Sequence, residues 1–185
     1  MEEKKLSYRM YFFVLYNLSP IEQGIQAGHA ALEYAMKYKN QKELQDFVFH
    51  DKTWILLDGG TSNNTHQGHP KGSMEELSDY ICDLGIPYAS FCEPNMNMAM
   101  TAICFLVDER VWNDETYPDF LDFSIKKMYP NENDPIPTGN LLMLKAKTSE
   151  ELETMFPEYH NEWIKSLGGK SNVYLRELLK DQILA

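Results

Sequence analysis

The chain has 185 residues, 43% of them hydrophobic and 12% aromatic, which suits one domain with a substantial core and perhaps an appended lobe. Its formal charge of −11, from 28 acidic against 17 basic residues, argues against gripping a long RNA or DNA backbone. Such binding needs a basic footprint, and the strongest basic cluster here is Lys126-Lys127. No apolar run is long enough to span a membrane, and the start MEEKK has no signal-like apolar stretch. Cys82, Cys92 and Cys104 cannot all pair and lack zinc-like spacing, so reduced thiols and a cytoplasmic location are expected.

The first apolar run, residues 8 to 16, reads as a central strand buried on both faces. It stops at Asn17. Ser19-Pro20-Ile21-Glu22 then opens a helix over residues 20 to 39, with Ser19 as cap and Glu22 placed to close a capping box. At 100° per residue, Glu22, Gln26, His29 and Glu33 fall in one polar stripe, Ile21, Ile25, Leu32 and Met36 lie beside it, and Ala27, Ala30, Ala31 and Tyr34 form a small-residue face. The large apolar row is expected to face the sheet, and the small face to admit another helix. The polar stripe lines either a cleft or water. Gln26 and His29 stand out, because Gly24, Ala27, Gly28 and Ala30 around them would let a ligand approach.

Residues 42 to 50 read as a short helix, and 53 to 58 as a strand ended by Gly59-Gly60. A long stretch without apolar side chains follows, Thr61 to Gly72, carrying His66 and His69. Ser73-Met74-Glu75-Glu76 reads as a second capping box, for a helix to about Leu84 with Gly85 as its stop. Residues 87 to 93 and 101 to 107 are strands joined by the short EPNMNMAM segment. The order implies an α/β fold with a four-stranded mixed sheet flanked by helices. Beyond it, a helix near 117 to 128, an acidic Pro-rich loop over 129 to 139, a further strand or extended segment at 141 to 146, and helices at 148 to 156, 158 to 167 and 171 to 184 make a mostly helical extension. The expected boundaries are a domain over 8 to 107 and an extension over 108 to 185 packed on it.

One constellation carries chemistry: Asn17, Gln26 and His29 at the strand-to-helix junction, with Glu93, Asn95 and Thr101 from the later turn and strand. A carboxylate, an imidazole and a hydroxyl can together activate water and stabilise a leaving group. The plain alternative is structural: His29 bonded to a carbonyl, Glu93 capping a turn, Thr101 filling a strand. His66 and His69 are three apart but lack a third ligand, so solvated histidines are the expectation and no metal is assigned. Met96, Met98 and Met100 alternate and suit core packing or an adaptable apolar rim.

Two stretches resemble a known family. QAGHAALEY, Gln26 to Tyr34 after an apolar strand, is similar to the Q-x-x-H-A signature of the type-2 peptidyl-tRNA hydrolases. LGIPYASFCEPNMNMAMTAICFLV, residues 84 to 107, resembles that family's strand ending in an acidic residue, its turn, and a Thr opening the last strand. The likeness covers roughly residues 8 to 107. It implies a four-stranded mixed sheet, homodimers, and hydrolysis of the ester joining a peptide to the end of a tRNA. On it, His29, Glu93 and Thr101 are the catalytic candidates, and Asn17, Gln26 and Asn95 hold substrate, with no cofactor. The chain departs from the family at the helix start, where Ser19, Pro20 and Glu22 replace basic residues. Glu93 replaces an Asp, and the turn after it is shorter and lacks Gly-Thr-Gln. These changes and the charge point to a retuned substrate: an RNA end or a small nucleotide-like ester or phosphodiester. The alternatives are a module that sequesters a small nucleotide signal, by analogy with viral relatives that counter host defence, or one that blocks a protein partner.

Overall fold

A computed structural model describes residues 6–63, 68–130 and 138–185. The chain divides into two units, residues 1–109 with 174–185, and residues 110–173. The first unit therefore extends two residues past the expected boundary and also takes back the last twelve residues, which the sequence pattern assigns to the extension.

The first unit is an α/β fold around one mixed sheet. Its elements are β1 (Tyr8–Leu15), α1 (Pro20–Tyr38), α2 (Lys42–Asp46) running into a π-helical turn at Phe47–Asp51, β2 (Thr53–Gly60), α3 (Ser73–Asp83), β3 (Tyr88–Glu93) and β4 (Ala99–Asp108). The strand order is β2-β1-β4-β3. β1 and β2 are parallel, and β4 is antiparallel to both β1 and β3. Central β1 explains its own sequence: Met10 to Leu15 are all buried, so both faces must be apolar. Met10, Phe12, Val14, Ala102 and Cys104 form one face, under α1 and α2. Phe13 stacks on Phe105 on the other, where Ser78 of α3 donates to the Tyr88 hydroxyl. Residues 183–185, expected to end a helix, instead border β2: Asp58 N–H donates to the Ile183 carbonyl, and Ala185 N–H to that of Leu56. This covers the outer edge of β2 at those positions.

Two local features re-aim the sheet. Val14 pairs with Asp58 but Leu15 with Gly60, so Gly59 is the extra residue of a bulge. A Cβ there would meet the Val14 carbonyl oxygen at 3.0 Å, which accounts for the glycine. On the other side, Phe91 pairs with Ala102 but Cys92 with Met100, leaving Thr101 as the bulged residue.

The capping box at Ser19 and Glu22 forms as the spacing predicts. At α3 the cap shifts by one. Gly72 is the N-cap and Glu75 reaches back to its N–H, while Ser73 bridges the Gly59 carbonyl and the Thr61 N–H. The larger departure is the orientation of α1. Gln23, Gln26, Ala27, Ala30 and Tyr34 are buried against the sheet. Ile21, Ile25, Leu32 and Met36, expected there, are 77%, 51%, 65% and 73% exposed. Small side chains let the helix backbone approach β4 so closely that the Cys104 thiol donates to the Ala30 carbonyl at 3.2 Å. Tyr34 fills the space left over.

In the second unit, Phe120, Leu144, Leu152, Trp163, Leu167 and Val173 form a separate core. They come from α5 (Phe120–Met128), α6 (Thr138–Lys145), α7 (Ser149–Met155), α8 (Pro157–Ser166) and the start of α9 (Lys170–Lys180), with a short α4 (Glu109–Trp112) at the boundary. Residues 141 to 145 are helical, where a strand or extended segment was expected. A short apolar run has no period that distinguishes the two, and here only Leu144 of the described residues in that run is fully buried. No helix among the described residues is long and apolar enough to cross a membrane.

Candidate functional site

β1 and β3 run in the same direction, so Asn17 and Glu93 lie at the same end of the sheet, where α1 also begins. Beside β3, a chain of hydrogen bonds links three of the six predicted residues. The Thr101 hydroxyl donates to Gln26 Oε1 at 2.7 Å, and Gln26 Nε2 donates to Glu93 Oε2 at 3.0 Å. The second carboxylate oxygen accepts the Asn95 backbone N–H at 3.2 Å. Each link orients the next. The hydroxyl can only give its proton to the amide oxygen, which turns the amide nitrogen toward the carboxylate.

The Thr101 bulge makes this possible. An unpaired residue in β4 can turn its hydroxyl toward α1 instead of continuing the ladder. Thr101 is fully buried. It cannot touch a ligand, so it is a positioning residue for Gln26 rather than a member of the reacting set.

Glu93 is half-buried, and its carboxyl is held below the usual carboxylate range. The Gln26 amide is the main cause and the Asn95 N–H the second; partial burial opposes them, and the charge of His29 adds a smaller attraction. At neutral pH the group is an anion that accepts hydrogen bonds. It suits orienting water or a ligand donor better than abstracting a proton, since a low pKa makes a weak base.

His29 is exposed. Its ring stacks on Phe91 with centroids 4.5 Å apart and planes 16° from parallel, so it is held beside the strand that ends in Glu93. Asn95 is exposed in the 3-10 turn Pro94–Met96, and Asn17 is exposed in the turn after β1. The structure thus joins Gln26, Glu93 and Thr101 directly and sets His29 beside them. Asn95 meets Glu93 through its backbone, and Asn17 shares only the same sheet end.

Three features at this corner had no signal in the residue pattern. Phe91, which seats His29, reads simply as a strand residue. Ser62 donates to Glu75 Oε1 and accepts the Met100 N–H at 2.8 Å, tying the start of the polar loop to β4 next to Thr101. Asn97 and Met98 both adopt left-handed backbone, with φ of 55° and 61°. Met98 N–H closes the turn on the Glu93 carbonyl. Asn tolerates this conformation, but for Met it costs on the order of 1 kcal/mol. The Asn at 97 was the only available hint. Met96 and Met98 are exposed there, as a rim rather than core.

The cysteines offer no nucleophile at this corner. Burial pushes the Cys104 thiol up to about 12. Burial, with a smaller contribution from Glu75, also raises Cys92. Of the histidine pair, His69 is exposed and His66 lies outside the described residues. Among the described residues no group of three or more His, Cys, Asp or Glu is placed to hold a metal ion.

Neither protein-family models nor curated proteins match this chain. The fold class, a four-stranded mixed α/β sheet covered by helices, rests on the topology above, and the site on its own geometry.

Proposed function

We propose that this chain is a divergent relative of the type-2 peptidyl-tRNA hydrolases that hydrolyses an ester or phosphodiester in an RNA end or a small nucleotide-like substrate. The observation that carries the reading is the Thr101–Gln26–Glu93 relay. It joins the two sequence stretches on which the family resemblance rests, and it ends in an ionised carboxylate next to an exposed imidazole. In hydrolysis, Glu93 orients a water whose oxygen adds to the carbonyl carbon or phosphorus. His29 relays a proton to the departing sugar oxygen, and the proton released by the water returns to solvent or to His29. Asn95 and Asn17 would hold the substrate. The charge of −11 favours a short or single-ended substrate over a long nucleic acid.

Turnover of peptidyl-tRNA, aminoacyl-tRNA and cyclic nucleotides by the full chain tests this. One of these should be cleaved, and Glu93→Gln and His29→Ala should each abolish cleavage while the fold, followed by circular dichroism, stays intact. Cleavage that survives both substitutions would remove the proposal.

The depressed pKa of Glu93 favours a second reading, because a weak base is better suited to holding a ligand than to chemistry. In that reading the same corner sequesters a small nucleotide signal, as a viral counter-defence protein would. A nucleotide released by heating the purified protein would then be intact and stoichiometric.

A further inference from the structure

The outward face of α1 is the least expected surface of the first unit. Ile21, Ile25, Leu32 and Met36 point away from the sheet, with Val48 and Trp54 beside them, and each of the six is between 43% and 77% exposed. Next to this row runs a groove of about 720 Å³ between α1 and the α2 segment. Gly28, Ala31 and Ala35 form one wall, Leu44, Phe47 and Val48 the other, and Met10 and Trp54 also line it. A Cβ added at Gly24 or Gly28 would meet nothing within 4 Å. A contiguous apolar surface of this kind is rare on a monomer and marks a contact.

The spacing of the row identifies the occupant. Ile21 and Met36 are equidistant from the point between Gly28 and His29, and so are Ile25 and Leu32. Two copies of α1 laid antiparallel across a two-fold axis through that point therefore set Ile21 against Met36, Ile25 against Leu32, and glycine near glycine at the crossing. Each large side chain then has the small-residue wall of the other copy to enter, which is how ridges seat in grooves. This is the self-complementarity that an isologous contact requires, and here it is a property of the chain's own spacing.

Charge agrees. A chain carrying −11 repels its copy wherever carboxylates meet. Among the described residues the groove lining contains no Asp or Glu, and Lys52 is its one Lys or Arg. The same antiparallel register sets Glu22 against Ala35 and Glu33 against Gly24, so no carboxylate on α1 opposes another. Six large apolar side chains and the groove between them are close in scale to the ~800 Å² per partner of a standard stable interface.

We propose that the outward face of α1 is a symmetric interface between two copies of this chain, crossing at Gly28. Sedimentation velocity on the full chain from about 1 to 100 μM reads it directly. The wild type should sediment at twice the 21.5 kDa chain mass, and Leu32→Glu should weaken self-association at least about thirty-fold. Because Leu32 is exposed, the variant should keep the wild-type circular dichroism spectrum. Gly28→Cys, made in a Cys82→Ser background, should form a reducible intermolecular disulfide, whereas Phe49→Cys, exposed but outside the row, should not. A wild type that is monomeric throughout overturns the proposal, including one whose groove instead takes up an amphiphile or a foreign protein. So does a dimer unaffected by Leu32→Glu, or a Gly28→Cys variant that fails to cross-link.

Discussion

The two sides of α1 invert the usual rule. The side against the sheet buries two glutamines, two alanines and a tyrosine, while the side facing away carries two isoleucines, a leucine and a methionine. Each side is explained by what it meets. Against β4 the helix needs thinness and a hydrogen bond, which Ala30 and Gln26 supply. Facing outward, the apolar row stays largely exposed among the described residues of its unit. The comparison teaches that hydrophobicity ranks residues by their average fate, and that a helix carrying a relay residue can reverse the ranking. Polar burial on one side and apolar exposure on the other are then two signs of function on one element.

The inner side should be the fragile one. Tyr34→Ala removes the largest buried side chain of α1, and a loss of about 3–5 kcal/mol in unfolding free energy is expected from chemical denaturation. If the loss is near zero, the helix does not sit on that face. Thr101→Val keeps the shape but leaves Gln26 Oε1 without its donor, and should cost about 1–3 kcal/mol. Thr101→Ser should recover most of that; equal stability of the Val and Ser variants would mean that the hydroxyl has no structural part.

Glu93 gives a pH test with a definite sign. Its folded pKa is lowered, so the stability it contributes is fully present above the ordinary carboxylate range and is lost as pH falls through the lowered value. Gln26→Leu removes the chief cause and should raise the Glu93 carboxyl pKa, read from its ¹³C chemical shift. Wild type and variant should then converge in stability at the acid end and separate toward neutrality. An unmoved titration midpoint would show that the amide does not hold the carboxylate. The smallest folding effect belongs to the outer side: Leu32→Gln should change unfolding free energy, at concentrations low enough to keep the chain monomeric, by no more than about 0.5 kcal/mol. A larger cost would mean that Leu32 packs within its own unit.

Much of the scaffold could be read from local rules. The capping box at Ser19 and Glu22 is complete within four residues, and the unbroken apolar run of β1 allows only a strand covered on both faces. The order of strands and helices was enough to give an α/β class with a four-stranded mixed sheet. Gln26, His29 and Glu93 could be singled out because polar residues among small ones, or at a strand end, are locally conspicuous.

Other features depended on distance in space. Which side of α1 meets the sheet was decided by how near its backbone could come to Cys104, a residue 74 positions away. The burial of Thr101 and its tie to Gln26 come from a bulge, and a bulge is a mismatch between two strands that neither strand states alone. Residues 183–185 return to β2 because an edge strand offers open backbone groups, which exist only once the sheet has formed. Local propensity and capping act over a few residues and are written in order along the chain. Packing distance, register and edge pairing compare residues far apart in sequence, so they are settled only when the sheet and helices assemble together.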